Sequence, residues 1–393
     1  MAGAGPAGLA AALSLHRDGH RVRVFERFET ARPIGSGLIL QPTGQAVMQT
    51  LGLLPAIAAL GQPLDRLVGH DARSGRTVLD MRYAKRKGLG RGLGVHRAAL
   101  FGVLHEAVLA EGIELVTGRT VTGCQDGQVL CGATREGPFD LVVDALGAAS
   151  PLRQALPQAG ASRPLAFGAI WGTVPWVDTG FERTALMQRY ERASVMIGVL
   201  PVGRQTPDGP ELASFFWSLK WQEHDSLLAR GYEAWRDRVF GLWPETAPHL
   251  TALGSFEALS LARYQHHTVT VPAGDRLVAV GDAAHSTSPQ LGQGANMALL
   301  DARALTLALR MADVADALAT YAWLRRRHVR LYQALSLMLT PAYQSDSRVL
   351  PVLRDLAVPI AAAVPPLPQM LATLVAGRLL DPFRALQLEA VQV

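Results

Sequence analysis

The residues of this 393-residue chain that could do chemistry lie at two places far apart in sequence. Arg276–Asp301 reads RLVAVGDAAHSTSPQLGQGANMALLD. Its alternating apolar run, Leu277-Val278-Ala279-Val280, is patterned as a short buried strand that ends at Gly281-Asp282. A loop of small residues follows, with Pro289, Gly292 and Gly294. An apolar helical pattern then begins at Asn296 and runs through Met297, Leu299, Leu300, Leu305 and Leu309. A strand, a glycine loop and a helix in this order leave the first helical N–H groups and the positive end of the helix dipole free to meet an anion or a polarised oxygen. Asp282, at the strand end, can accept hydrogen bonds from sugar or polyol hydroxyls. His285 reads as a hydrogen-bonded loop histidine rather than a catalytic base.

The second place is Gly3-Ala4-Gly5-Pro6-Ala7-Gly8. It is followed by a helical pattern (Leu9, Leu13, Leu15), an alternating strand (Val22, Val24, Phe25) and Glu26. In this setting the glycines allow a tight turn and close approach to a pyrophosphate, and a carboxylate roughly 20 residues on can bind ribose hydroxyls. Two nucleotide-type elements at opposite ends of one chain imply a single extended cofactor held from both sides.

Gly281–Asn296 matches GD-A-A-H-x-x-x-P-x-x-G-Q-G-x-N at every fixed position. On that motif and the N-terminal glycines, the chain resembles the FAD-dependent aromatic-ring hydroxylases, single-component flavoprotein monooxygenases with the p-hydroxybenzoate hydroxylase fold. The resemblance covers nearly the whole chain and is weakest in the middle and at the C-terminus. It implies an α/β fold: a Rossmann-like FAD-binding domain with an inserted antiparallel β-sheet substrate domain and a C-terminal helical region. The FAD-binding domain would comprise residues 1–62, 96–154 and 271–311. Residues 63–95 and 155–270 would form the substrate domain, and 312–393 the C-terminal helices. The cofactors implied are FAD, with NADPH or NADH as reductant. The FAD contacts implied are Gly3, Gly5, Ala7, Gly8, Glu26, Arg27, Arg97, Val121, Asp282, Pro289, Gly292, Gly294, Ala295 and Asn296.

Other segments must position these residues. A dinucleotide fold needs a central strand before its first glycine. Here only Met1 and Ala2 precede Gly3, where family members begin with several more apolar residues. The chain as written is therefore expected to start inside that strand and to leave its neighbours' ladders short of partners. Residues 33–54 resemble a family segment in which a glycine loop (Gly35, Gly37) leads into a helix, with Thr43 as its N-cap. His96-Arg97 opens another helix, and strand patterns run through Glu114–Val116 and Thr120–Thr122. Asp140–Arg153 resembles a family motif G-A-D-G-x-x-S-x-x-R, with Gly147, Ser150 and Arg153 in place. Leu146 stands where the motif has its aspartate, a residue linked in the family to the flavin and the nicotinamide, and Asp144 reads as a strand-end carboxylate without a role.

Residues 155–270 hold most of the aromatics on alternating runs at Ala166–Ile170, Ser194–Leu200 and Leu212–Leu219, with turns between them. This pattern predicts an antiparallel sheet, and the resemblance places it over the flavin ring. Trp171, Trp176, Met187, Met196, Phe215 and Phe216 are core or pocket residues, while Arg189, Tyr190 and Trp217 are the expected substrate contacts. A helix is expected over Ser226–Phe240. His266 and His267 read as a solvated loop pair, and no His, Cys or carboxylate spacing supports a metal. The tail is helical, with Arg325, Arg326 and Arg327 on the exposed side of Tyr321–Leu339. Leu356–Gly377 is an uncharged run close to the roughly 20 residues that a membrane span needs. Its prolines predict two short helices instead, which leaves peripheral membrane contact open.

Composition narrows the partners. The chain is 49% hydrophobic and 18% charged, with a net charge of +5, enough apolar material for a large core and a basic balance suited to anionic cofactors. Clusters of Lys and Arg interleaved with aromatics are lacking, which argues against nucleic acid. Two cysteines, Cys124 and Cys131, fit a reducing cytoplasm. The resemblance implies a monomer or homodimer that hydroxylates a small aromatic or apolar substrate with NAD(P)H and dioxygen through a flavin hydroperoxide, and it assigns no obligatory acid or base. Another flavin reaction on the same fold (an oxidase or a reductase) or an inactive flavin-binding protein is the alternative. A halogenase is disfavoured, because Trp171–Trp176 reads WGTVPW where halogenases carry W-x-W-x-I-P.

Overall fold

The computed structural model describes residues 1–30 and 35–391. Pro33 and Ile34, at the head of the expected glycine loop, lie outside the described residues. The N-terminal layer is built on short parallel strands. Arg23–Phe25 pairs with Glu114–Val116, and Val142–Asp144 pairs with Leu277–Ala279. Ala2 bridges the two pairs. Its N–H donates to the Val143 carbonyl and its carbonyl accepts from Ala145 N, both at 2.8 Å, while Gly3 N and Phe25 N close the other side. Met1 contributes its ammonium to the Arg23 carbonyl at 2.7 Å. The expectation of unpaired neighbours is thus corrected: Met1 to Gly3 satisfy the groups that face them.

Helix α1 (Pro6–Arg17) starts with proline at its first position, where the missing N–H costs nothing. It buries Ala7 to Leu13 and Leu15 in the core, while Arg17 in its last turn is exposed. Helix α2 (Pro42–Thr50) also begins on proline, with Gln41 at the N-cap position and no side-chain cap, so Thr43 is a buried first-turn residue and not the N-cap. Helices α3 (Leu54–Leu60) and α4 (Arg97–Ala110) complete this side. The His96 side chain caps α4 by accepting from Ala98 N at 3.1 Å. Thr120–Thr122 is not a strand; the next strand starts at Gly123.

The large sheet has seven strands in the order Ser260–His266, Arg163–Pro175, Leu212–Lys220, Val195–Gly203, Ala185–Glu191, Arg66–Asp71, Thr77–Arg82. Its pairings are antiparallel except Ala185–Glu191 with Arg66–Asp71, which is parallel. Strand alternation divides its side chains between two faces. The outer face (Ile170, Val174, Val195, Ile197, Val199, Phe215, Trp217) packs under α5 (His224–Arg230), α6 (Tyr232–Leu242) and α7 (Ala247–Leu253). The expected single helix over 226–240 is broken at Gly231, whose φ of +85° suits glycine. The inner face (Trp171, Leu186, Tyr190, Met196, Leu200, Val202, Phe216) turns towards the glycine loops.

Helix α8 (Gly294–Met311) begins two residues before the predicted start and packs on α1. Helix α9 (Val314–Tyr343) is one continuous rod, capped by the Asp313 side chain. Helices α10 (Leu350–Ala363) and α11 (Leu367–Val375) are the two predicted short helices. The break falls at Val364–Pro366, and Pro359 is accommodated inside α10.

Candidate active site

The N-terminal turn is shaped by two glycines that the protein itself requires. A Cβ on Gly3 (φ +102°) would fall 2.6 Å from the Ala145 carbonyl oxygen, and one on Gly8 would fall 2.0 Å from the Gly3 carbonyl oxygen. Gly5 differs: a Cβ there would meet nothing within 4 Å, so its side of the turn is open to a ligand. Ala7 is buried and faces Gly281, where an added Cβ would lie 3.3 Å away. The Glu26 carboxylate accepts from Ala4 N at 3.0 Å and Phe28 N at 3.1 Å, tying the turn to the strand end. Arg27 is exposed, with its guanidinium 4.7 Å from the Phe28 ring centre. Val121 is buried beside Ala2 and Phe25.

The second turn is braced from behind. Gly281 N donates to Asp301 Oδ2 at 2.8 Å, His285 Nε2 meets the same oxygen at 2.6 Å, and Arg325 Nε donates to Asp301 Oδ1 at 2.6 Å. All three side chains are buried. Burial alone would raise the Asp301 carboxyl, but His285 and Arg325 outweigh it and hold the group at about 2. Arg325 therefore does not lie on the exposed side of its helix. The surrounding layers need a cation to balance Asp301, whereas Arg326 and Arg327 do face solvent.

Beyond this brace, the Asp282 side chain is exposed to solvent. Desolvation by the surrounding protein raises its carboxyl, with His285 and Arg97 pulling the other way. The Arg97 stem packs on Gly35 (φ +96°), where a Cβ would lie 2.8 Å from Arg97 Cδ, and Arg97 N donates to the Ser36 carbonyl at 2.8 Å. Gly294 stands across from Asp282, its would-be Cβ 3.8 Å from Oδ1.

Pro289–Leu291 forms a tight turn ended by Gly292 at φ +60°, and α8 starts at Gly294. The N–H groups of Gly294, Ala295 and Asn296 precede the first intrahelical bond, which Met297 N makes to the Gln293 carbonyl. The Asn296 side chain points inward: Oδ1 accepts from Gln41 N at 2.8 Å, and Nδ2 donates to the Ile39 and Gly292 carbonyls at 3.1 Å. It staples the helix start to residues 39–41, leaving only its backbone N–H for a ligand. Sequence reasoning missed Gln41. Its Oε1 accepts from Tyr83 Oη at 2.7 Å, while its buried Nε2 has no partner among the described residues and lies 4.0 Å from the Cβ position of Gly292. A glutamine directly before a helix-opening proline was the available signal.

These features fit FAD. Gly5 leaves a backbone cradle open, Arg97 supplies positive charge, and Gln41 Nε2 and the first N–H groups of α8 are unsatisfied donors at the far end. Diphosphate and an electron-accepting heterocycle need donors and cations of this kind.

The inner face of the sheet borders these groups, with Val202 and Ser214 against Gly37 and Tyr264 within electrostatic reach of Arg97. Trp171 Nε1 donates to Tyr264 Oη at 2.9 Å, and its ring lies 4.6 Å from that of Phe216. Burial pushes the Tyr264 phenol up to about 12, against the pull of the Trp171 hydrogen bond and of Arg97. Tyr190 is also on this face but fully buried, with its hydroxyl 2.9 Å from Gln188 Oε1 and its ring against Tyr343 and Arg354. The other two expected substrate contacts are corrected. Arg189 and Trp217 point to the outer face, where Arg189 lies 4.9 Å from the Trp243 ring and Trp217 packs 6.1 Å from Trp235. They alternate with inner-face residues, and helices α5–α7 cover them.

His267 is likewise not solvated: it is buried at 3.0 Å from an Arg153 amine and 3.3 Å from the Ala283 carbonyl, and burial lowers it to about 4. Asp144 has a structural role, accepting from Ser150 Oγ at 2.6 Å and Leu146 N at 3.1 Å, with burial pushing it up to about 6. Among the described residues, no group of three His, Cys, Asp or Glu side chains could hold a metal ion.

The profile of the FAD binding domain family matches residues 1–333. Among characterised proteins, the chain is 29% identical over 385 residues to 6-methylpretetramide 4-monooxygenase of Streptomyces rimosus, covering 93% of this chain and 88% of that one. It is 28% identical over 338 residues to aurachin C monooxygenase/isomerase of Stigmatella aurantiaca, covering 82% and 83% respectively. The crystal structure of Klebsiella pneumoniae HpxO with FAD and uric acid superposes with a TM-score of 0.80 at 21% identity, covering 96% of each chain. That likeness establishes the shared fold.

Proposed function

The chain belongs to the FAD binding domain family, and from that premise we propose that it is an FAD-dependent monooxygenase that uses NAD(P)H and dioxygen to hydroxylate a small aromatic or similarly electron-rich apolar molecule. The observation that carries this reading is a set of open or unpartnered groups: the clear space beside Gly5, Asp282 with Gly294 across from it and Arg97 acting on it electrostatically, and the orphaned Nε2 of Gln41 beside Gly292 at the start of α8. Two relatives are named an aurachin C monooxygenase/isomerase and a 6-methylpretetramide 4-monooxygenase, which supports the monooxygenase reading.

In this reading Gly3 and Gly8 shape the turn, and Gly5 admits the diphosphate to the N-terminus of α1. Glu26, with Arg27 and Val121 beside it, receives the ribose and adenine end. Arg97 neutralises phosphate charge, and Asp282 accepts from polyol hydroxyls. Pro289, Gly292, Gly294, Ala295 and the Asn296 N–H present the helix start to the flavin ring, with Gln41 Nε2 as a further donor. FAD, when bound, supplies the redox and oxygen-transfer chemistry. The protein orients the ring, excludes water from the reacting face and places positive dipole where the reduced ring carries charge. Trp171, Phe216 and Tyr264 line the substrate side, with Tyr264 Oη as a hydrogen-bonding point. We place the enzyme in the cytoplasm, where its two unpaired cysteines stay reduced, and read it as a monomer or homodimer, since one chain supplies every residue of the proposed site.

The absorption spectrum of the purified protein, followed anaerobically on adding NADPH or NADH with and without an aromatic panel, tests the reading. Bound flavin that bleaches, with NAD(P)H oxidation stimulated by one aromatic, supports it. Flavin that no nicotinamide reduces, with or without aromatics, overturns the monooxygenase assignment; this is a pointed test because Leu146 replaces the family's aspartate.

A further inference from the structure

The C-terminal helix pair exposes a continuous apolar face. Val352, Leu353, Leu356, Ile360, Val364 and Met370 each retain between 50% and 62% of their surface. Leu337 and Met338 on α9 are exposed as well. The opposite side of α10 anchors it: Pro351 and Arg354 are buried, and Arg354 donates to the Arg192 and Ala342 carbonyls at 3.0 Å. Single exposed leucines need no explanation, but a whole uncharged helix face does.

Its dimensions exclude a simple span. At about 1.5 Å per residue, the 14 residues of α10 reach about 21 Å, short of the ~30 Å of a bilayer core. The chain then bends by 103° into α11. Two short helices bent in this way are suited to lie along an interface.

Charge around the face is one-sided. Lys85, Arg86 and Lys87 are exposed on the turn against α11, where Arg86 Nη1 donates to Thr373 Oγ1 at 2.8 Å. Arg348 is exposed just before α10. None of the four has a carboxylate partner among the described residues, whereas the nearby acids are paired: Asp346 with Lys220 at 2.7 Å, Asp355 with Arg354 at 2.7 Å, and Asp381 with Arg378. The uncompensated rim is basic. A second copy docking through the same face would set basic rim near basic rim, which disfavours an isologous dimer here.

We propose that the α10–α11 face docks on the surface of an anionic lipid bilayer, with Leu356 and Ile360 among the side chains entering the headgroup–acyl boundary and Lys85, Arg86, Lys87 and Arg348 meeting lipid phosphates. This goes beyond the flavin reading and is independent of it.

Cosedimentation of the full chain with vesicles tests it. The protein pellets with phosphatidylcholine vesicles that contain phosphatidylglycerol, and does so far less with phosphatidylcholine alone or in high salt. Leu356→Glu with Ile360→Glu abolishes binding to both. Lys85→Glu with Lys87→Glu weakens binding to the anionic vesicles roughly thirty-fold or more and leaves the weak neutral binding as it was. All four positions are exposed, so a thermal melt that matches wild type shows that the variants fold. Equal binding to neutral and anionic vesicles, or no binding to either, overturns the proposal. So does a concentration-dependent dimer, seen by sedimentation velocity, that the Leu356→Glu, Ile360→Glu variant splits and that does not bind vesicles.

Discussion

Arg325 donates its Nε to Asp301 Oδ1 at 2.6 Å in the interior, and through that carboxylate it holds the turn on which Asp282 is carried, because Asp301 Oδ2 accepts from Gly281 N at 2.8 Å. A buried ion pair adds little net stability against an apolar pair, but removing one partner leaves an uncompensated charge. Arg325→Met is therefore expected to lower the stability of the apoprotein by about 3–5 kcal/mol in urea unfolding. The double variant Arg325→Met, Asp301→Asn is expected to lose less than the sum of the single changes. Both should bind FAD more weakly, since the Gly281–Asp282 turn loses its brace. The sign of the pH effect follows from Asp301: its folded value of about 2 lies below its ordinary 3.8. Its contribution is present above about pH 4 and is lost as pH falls towards 2. Arg325→Met should move that acid limb to higher pH, which urea midpoints measured across the range will show.

Gly5 and Gly8 separate folding from binding. A Cβ at Gly5, whose φ is −75°, meets nothing within 4 Å. Gly5→Ala should fold with unchanged or slightly raised stability, because alanine restricts the unfolded chain. It should bind FAD at least roughly ten-fold more weakly, as the methyl occupies the open cradle. A Cβ at Gly8 would lie 2.0 Å from the Gly3 carbonyl oxygen, so Gly8→Ala should cost roughly 1–3 kcal/mol of apoprotein stability as well as flavin. If fluorescence titration finds Gly5→Ala with native affinity, the diphosphate does not pass there.

The contrast between these positions marks how far the sequence was legible. The glycines, Asp282 and the presence of a helix after the second loop follow from local chemistry, because turns with positive φ and free N–H groups leave a residue signature, although the helix starts at Gly294 and not at Asn296. The alternating runs at 194–200 and 212–219 became strands for the same local reason. Which face of those strands turns towards the glycine loops is set by what covers the other face, so Arg189 and Trp217 were misplaced while Trp171 and Phe216 lie on the inner face. Arg325 and His267 look like surface residues by type. Their burial depends on partners distant in sequence, Asp301 and Arg153, and nothing near either residue announces it. Gln41 went unseen because its orphaned Nε2 exists only once Tyr83 has taken its Oε1.

Asp144 should give the opposite pH signature from Asp301. Burial lifts its carboxyl to about 6 from an ordinary 3.8, so the folded state favours the protonated acid. A folded value above the unfolded one contributes stability that is full below about pH 4 and lost as pH rises through 6. The two-unit shift corresponds to about 3 kcal/mol between those limits. In Asp144→Asn that fall should vanish. The readout is the difference in slope between wild type and variant over pH 4–6, since the amide also alters the bonds to Ser150 and Leu146 and so shifts absolute stability. Parallel slopes would show that Asp144 is already ionised in the fold.

Tyr264 and Trp171 share a single hydrogen bond, Nε1 to Oη at 2.9 Å, on the inner face of the large sheet. The bond uses the hydroxyl as acceptor and leaves its proton free for a ligand. Trp171→Phe removes the donor and keeps the hydroxyl, whereas Tyr264→Phe removes the hydroxyl and leaves the indole N–H without its acceptor. The second change should cost the apoprotein at most about 1 kcal/mol, because the half-buried indole N–H left unpaired can still meet water. If Tyr264 orients substrate, it should also lower the yield of hydroxylated product per NAD(P)H consumed, with the balance appearing as hydrogen peroxide. Trp171→Phe should keep most of that coupling. Neither Tyr264 nor Trp171 is among the proposed FAD contacts, so both variants are expected to retain flavin, and product yield measured by chromatography against NAD(P)H oxidation then isolates the effect. Equal coupling in wild type and Tyr264→Phe would remove this hydroxyl from the substrate site and leave it as a structural partner of Trp171.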